Sequence, residues 1–161
     1  RLAALEITIA AEGGLDIVVR PVAVEPVAVM RVRGSVPRAF YRLEAYVRDQ
    51  GRRAARPPGA IGAQREIFVP VTGPIPPARG IEYRRLPAAK VASVIHRGPY
   101  EDGGGARRAL EAWVATAGKR IAGPMRTIYL AFGAEPELRV PPGYLVERDE
   151  DFVTELQLPV A

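Results

Sequence analysis

Cysteine is absent from this sequence, which excludes a disulfide framework and thiol chemistry. Histidine occurs once, as His96, so a Ser-His-Asp or Cys-His catalytic arrangement would have to use that residue. With one histidine and no cysteine, only carboxylates remain as metal ligands, and no group of acids has the spacing of a metal site. We therefore expect neither a metal nor a cofactor.

Long apolar runs are also missing. No run approaches the roughly 20 residues that cross a bilayer, and no charged-then-apolar export signal opens the chain. Together with the missing cysteine, this predicts a cytoplasmic protein. The composition, with 48% apolar, 25% charged and 7% aromatic residues, is typical of a globular chain, and 161 residues are enough for one domain with one core.

The net charge of +5 makes nucleic-acid binding a hypothesis to test. The arginines are spread along the chain and alternate with acids, as in Arg42 with Glu44 and Arg108 with Glu111. On a helix this spacing produces a solvated face of mixed charge. The pattern therefore favours an arginine-rich surface over a stripe that tracks phosphates.

An internal repeat organises the chain. The matched segments are 27–34 with 91–98, 43–47 with 110–114, and 66–71 with 155–160. We interpret them as the trace of a tandem duplication. Repeat one spans about 15–71 and repeat two about 81–161, and a proline-rich linker separates them.

Each repeat reads as two strands, a helix and two more strands. Ser35 with Pro37 is a helix-start signal, and Gly51 and Gly118 are helix stops. Strands are predicted at 15–20, 27–33, 60–64 and 65–71, then at 81–86, 90–97, 126–130 and 151–160, and helices at 37–50 and 106–117. Each helix must bury its apolar stripe on a sheet. We predict an α+β fold, with duplicated β-β-α-β-β units forming one roughly eight-stranded antiparallel sheet, two helices on one face and a pseudo-twofold axis.

The first residues have helical spacing. Leucine at positions 2 and 5 and isoleucine at position 9 form an i, i+3, i+7 stripe, and Gly13-Gly14 follows. We interpret residues 1–14 as the remnant of a linker helix. The alternative is the frayed start of a complete protein.

The groove between the two predicted helices is the candidate ligand site. Tyr46 and Trp113 occupy corresponding places in the repeats, and two such rings can hold a planar or cationic ligand. They can equally be two large core residues. The counterpart of His96 is Val32, which favours a strand residue over a catalytic base.

Three glycines at 103–105 precede the second helix and could hold a phosphate. Glu101 and Asp102 stand directly before them and would repel an anion. The sequence therefore favours a flexible helix entry at this position.

Several short motifs carry a resemblance to a known family. They are Arg20-Pro21, residues 96–101, residues 110–114, Gly123-Pro124 with Tyr129-Leu130, and residues 154–160. Over residues 15–161 the sequence resembles the gyrase-inhibitor-like (GyrI-like) effector-binding domain family. Residues 1–6 resemble the end of the linker helix of MerR-type transcription regulators. This resemblance implies a homodimer in the full-length protein and contact with DNA only through a domain missing from this chain.

The resemblance also implies a pocket on the axis for bulky, flat, often cationic compounds, held by aromatic rings and a buried glutamate. This sequence has Thr127 at the position of that glutamate. Either Glu155 serves as the charge partner, or the domain prefers neutral ligands. Some family members hydrolyse strained cyclopropane-containing toxins with the same glutamate, so Thr127 also argues against that activity here.

The leading hypothesis is a ligand-sensing domain of a transcription regulator that binds a hydrophobic, aromatic or cationic small molecule of the multidrug type. The expected ligand contacts are Tyr46, Trp113 and Tyr129, with Phe68, Tyr100 and Tyr144 at the margins, Thr127 as a polar contact and Glu155 as a charge partner. One alternative is a stand-alone hydrolase or toxin-protection protein of the same fold. Another is a protein-interaction module.

Overall fold

The computed structural model describes residues 8–12, 15–133 and 145–161. The strands are β1 (Thr8–Glu12), β2 (Leu15–Val22), β3 (Glu25–Arg31), β4 (Gly59–Ile61), β5 (Glu66–Pro70), β6 (Ile81–Leu86), β7 (Ala89–Arg97), β8 (Arg126–Ala131) and β9 (Val153–Pro159). The helices are α1 (Val36–Asp49) and α2 (Gly104–Thr116), with single 3-10 turns at Tyr100–Asp102 and Asp149–Asp151. No helix in these described parts is long and apolar enough to span a membrane.

All of these strands form one antiparallel sheet in the order β1-β2-β7-β9-β8-β4-β5-β3-β6. From β2 to β6 the order is symmetric about the β8–β4 pair, because each strand of the first unit occupies the place that its counterpart occupies in the second. This confirms the predicted α+β fold with a pseudo-twofold axis. A ninth strand, β1, extends one edge.

The two units exchange their first strands. β2 pairs with β7 of the second unit, and β6 pairs with β3 of the first. Val22 ends β2 and Glu25 begins β3, so these ends are at most about 11 Å apart along three Cα steps. Six strand spacings in a flat sheet would separate them by about 29 Å. The sheet must therefore be strongly curved, so that the end of β2 and the start of β3 approach each other.

The N-terminal strand differs from the expectation. Helical spacing predicted a helix through Ile9, but Thr8–Glu12 pairs with β2, with Thr8 opposite Val19 and Glu12 opposite Leu15. The helix prediction is wrong for Thr8 and Ile9, because the exposed edge of β2 offers backbone partners that outweigh a weak local periodicity. Residues 1–7 lie outside the described residues.

Each helix covers its own hydrophobic cluster on the same face of the sheet. The Oγ of Ser35 caps α1 by accepting a hydrogen bond from the Arg38 amide at 3.4 Å. The α1 cluster contains Ala28, Met30, Ala39, Leu43, Val47, Ile67, Val69, Tyr129 and Phe132, and the α2 cluster contains Ile17, Val19, Ala92, Val94, Leu110, Trp113, Val114, Leu156 and Leu158. A third cluster of Val27, Val29, Phe68 and Leu86 fills the opposite face. The two separate helix clusters leave a cleft between α1 and α2.

Candidate functional site

Two adjoining cavities occupy the cleft between the N-terminal turns of α1 and α2. The first has a volume of about 360 Å³ and its lining includes Val36, Phe40, Tyr41, Glu44, Pro58, Tyr129 and Phe132. The second has a volume of about 320 Å³ and its lining includes His96, Gly103, Arg107, Thr127, Thr154 and Leu156. We call them the aromatic cavity and the polar cavity. Gln64, Tyr100 and Tyr129 line both.

Tyr129 lies at the centre of a group of edge-on aromatic rings. Its ring centroid is 5.8 Å from that of Phe40, 5.8 Å from that of Tyr100 and 6.4 Å from that of Phe132. Interplanar angles of 69° to 84° are a favourable arrangement for aromatic pairs. Its hydroxyl accepts a hydrogen bond from Gln64 Nε2 at 2.9 Å. The ring therefore has a defined position between the two cavities.

The hydroxyls of Tyr129 and Tyr100 are neutral at physiological pH. Burial raises the pKa of Tyr129 above its ordinary value, and the hydrogen bond from Gln64 partly offsets this effect. Burial also raises the pKa of Tyr100, although 45% of that residue's surface is exposed. Each hydroxyl can therefore act as a hydrogen-bond donor as well as an acceptor.

A buried carboxylate lines the aromatic cavity. Glu44, on α1, is only 2% exposed and forms a two-bond ion pair with Arg53, at 2.7 Å from Nε to Oε1 and 3.1 Å from Nη2 to Oε2. Burial raises the pKa of Glu44 and the bonds to Arg53 oppose the shift. Glu44 was not among the residues predicted from the sequence. The sequence pattern that could have identified Glu44 is an acidic residue within the buried stripe of α1, one turn after Phe40 and three residues before Val47.

The polar cavity combines hydroxyl, imidazole and guanidinium groups. Thr127 and Thr154 lie on the neighbouring strands β8 and β9, and Arg107 is on α2. His96 Nε2 is 2.9 Å from the Pro99 carbonyl oxygen, so this nitrogen carries the hydrogen and donates it. Oγ1 of Thr154, a residue 4% exposed, has no hydrogen-bond partner within the described parts of the chain. An unsatisfied hydroxyl is therefore buried in the wall of this cavity.

The two aromatic residues expected to face each other do not line this cleft. The Tyr46 hydroxyl donates to the Pro76 carbonyl at 2.5 Å, and the ring packs against the α1 cluster. Trp113 is 8% exposed and belongs to the α2 cluster. Their contacts match the alternative interpretation, in which both are core residues. Tyr144 lies outside the described residues.

Glu155 and Phe68 lie on the other face of the sheet. In β9, Leu156 and Leu158 pack in the α2 cluster, so Glu155 points away from the helices. Its Oε2 accepts hydrogen bonds from Arg20 at 2.5 Å and Ser93 at 2.6 Å. Phe68 is 2% exposed in the cluster on that same face. The expected charge partner is therefore outside the cleft, whereas Thr127, Tyr129 and Tyr100 are brought together in it.

Comparison with solved structures gives clear matches for this fold. The C-terminal domain of EcmrR superposes with a TM-score of 0.77 at 17% identity, covering 91% of this chain and 98% of that domain. The chain has the fold of the EcmrR C-terminal domain. EcmrR in its complex with DNA matches with a TM-score of 0.71 at 16% identity, and here the match covers 91% of this chain and 57% of that chain.

More distant matches share the same fold as the EcmrR domain. A hydrolase from Listeria innocua has a TM-score of 0.52 at 12% identity, covering 89% of this chain and 91% of that one. No protein-family model and no curated protein match the sequence. The likeness to EcmrR confirms, at the level of the fold, the resemblance drawn from the short motifs.

Proposed function

We propose that this chain is the ligand-sensing domain of a transcription regulator and binds an aromatic small molecule between α1 and α2. The main support for this proposal is the pair of adjoining cavities around Tyr129. The likeness to the C-terminal domain of EcmrR, a protein also solved in complex with DNA, supports a regulatory role. By this proposal the full-length protein is a cytoplasmic homodimer that contacts DNA through another domain.

The shape of the cleft favours a flat ligand. A volume of about 360 Å³ for the aromatic cavity lies within the range of small-molecule sites, roughly 300–1,000 Å³. Phe40, Tyr41 and Phe132 provide apolar ring surface, while Thr127 provides a hydroxyl in the adjoining cavity. A ligand with an aromatic body and a hydrogen-bonding end would occupy both cavities.

The charges lining the cleft favour a neutral ligand over a cation. Glu44 is the carboxylate of the aromatic cavity, and Arg53 bonds both of its oxygens. A cation would have to compete with that guanidinium, while Arg107 adds positive charge to the polar cavity. The same ion pair makes Glu44 a poor general base, so we do not extend the proposal to hydrolysis.

Calorimetric titration with three flat dyes of similar size, one neutral, one cationic and one anionic, would test this proposal. We expect the neutral dye to bind more tightly than the cationic one. Phe40→Ala removes a ring from the cleft and should weaken binding at least about tenfold, a typical loss for truncating a buried aromatic contact. Tyr46→Ala is the matched control, because it truncates a ring of the same helix outside the cleft.

Two outcomes would contradict the proposal. One is that no dye binds to protein shown to be folded by circular dichroism. The other is that Tyr46→Ala weakens binding as much as Phe40→Ala, since this would place the dye outside the cleft or reflect a general loss of structure.

A further inference from the structure

A third and larger cavity lies beside α1 and shares no lining residue with the cleft. Its volume is about 1040 Å³. Five arginines line it, namely Arg31, Arg33, Arg38, Arg42 and Arg79. No acidic residue is among the described residues that line it. We call it the arginine cavity.

The fold assembles these arginines from separate segments. Arg38 and Arg42 are one helical turn apart on α1 and therefore share a face. Pairing of Met30 with Ile81 brings the end of β3 next to the residues that precede β6, and these include Arg79. The Nη2 of Arg42 donates to the Arg79 carbonyl at 2.9 Å. Arginines that are dispersed in the sequence thus converge in space.

The arginine cavity carries positive charge that the protein does not neutralise. Among the described residues, Arg33, Arg38, Arg42 and Arg79 form no ion pair, whereas other arginines, such as Arg53, are paired. The ion pairs elsewhere include Arg56 with Glu25 and Arg84 with Glu66. Arg31 differs from the four unpaired arginines, because it stands opposite Glu66 across the strands. Hydrogen bonds from Arg84 lower the pKa of the Glu66 carboxylate, and the charge of Arg31 helps to lower it.

We propose that the arginine cavity binds a compact polyphosphate, independently of any ligand in the cleft. Guanidinium groups have a planar fork that forms paired hydrogen bonds with phosphate oxygens. Several unneutralised guanidinium groups around one cavity repel each other until an anion with several charges occupies it. The cavity is concave, and its volume of about 1040 Å³ lies at the upper end of the range for small-molecule sites. It therefore has room for a small polyanion.

Calorimetric titration with sodium tripolyphosphate, compared with orthophosphate and a 20-base-pair DNA duplex, tests this proposal. We expect tripolyphosphate to bind most tightly and to lose affinity as salt is added. Arg38→Gln/Arg42→Gln should weaken binding by roughly tenfold or more. The matched control, Arg85→Gln/Arg108→Gln, removes the same net charge from exposed residues that do not line the cavity, and it should retain the affinity.

Three results would overturn the proposal. They are a lack of tripolyphosphate binding at low salt, an equal loss of affinity in the control variant, and tighter binding of the duplex with the same dependence on Arg38 and Arg42. The second result would indicate a response to net charge alone, and the third would assign this face to nucleic acid. Thermal unfolding of both variants checks that they fold.

Discussion

Replacing Thr154 with valine should stabilise the protein. The side chain is 4% exposed and its Oγ1 has no partner within the described parts of the chain. An unsatisfied buried polar group costs roughly 1–3 kcal/mol. Valine keeps the β-branched shape that suits a strand and replaces the hydroxyl with a methyl group. We therefore expect the free energy of unfolding to rise by about 1–2 kcal/mol.

Thermal unfolding followed by circular dichroism can measure this change. For a chain of 161 residues, each kcal/mol shifts Tm by roughly 2–4 °C, so we expect a rise of about 2–8 °C. Thr154→Ser provides the opposite perturbation, because it keeps the hydroxyl and loses a buried methyl group. It should lower stability by about 1 kcal/mol. Thr127→Val, at a less buried position of the same cavity, should change Tm little.

A lower or unchanged Tm for Thr154→Val would refute the reasoning. It would show that the Thr154 hydroxyl is hydrogen-bonded in the folded protein, since only a satisfied hydroxyl offsets the gain from an added buried methyl group. The Thr154 hydroxyl would then not be an unsatisfied group in the wall of the polar cavity.

Two further predictions concern the buried ion pair of Glu44 with Arg53 and the closely packed Gly59. Arg53→Met should lower stability at pH 7 by about 3 kcal/mol because Glu44 loses its partner. Burial raises the pKa of Glu44 above its unfolded value, so stability should recover as the pH falls and the carboxyl is protonated, and pH-independent urea unfolding would contradict this. Gly59→Ala should cost about 1–3 kcal/mol because its Cβ would overlap the Thr127 carbonyl oxygen and the Phe68 ring, whereas Gly105→Ala, which meets nothing within 4 Å, should not destabilise.

Much of the fold could be predicted from local signals. The helix-start signal at Ser35 and Pro37 and the helix stop at Gly51 place α1 to within a residue of its observed bounds. Such signals act through backbone hydrogen bonds and steric preferences within one turn of the chain, so they can be read without a tertiary structure. The strand β1 was missed because an edge strand forms through its neighbour and carries a weaker local pattern.

The candidate site was predicted only in part. Thr127 and Tyr129 were placed correctly on one strand, and both line the cleft. Tyr46 was chosen for its correspondence with Trp113, but equivalent positions in two repeats do not have to meet in space. Glu44 was missed because an acid on a helix is usually solvated, and its burial depends on the packing of α1 against the rest of the fold.

The sequence by itself determined the two helices, the described strands other than β1, their order and which helix faces are apolar, because periodicity and capping are local properties. Only the tertiary structure decided which distant side chains meet. Strand exchange between the two units and the curl of the sheet bury Glu155 on the face away from the helices. The same packing gathers dispersed arginines around one cavity, since strand pairing joins segments that are far apart in the chain.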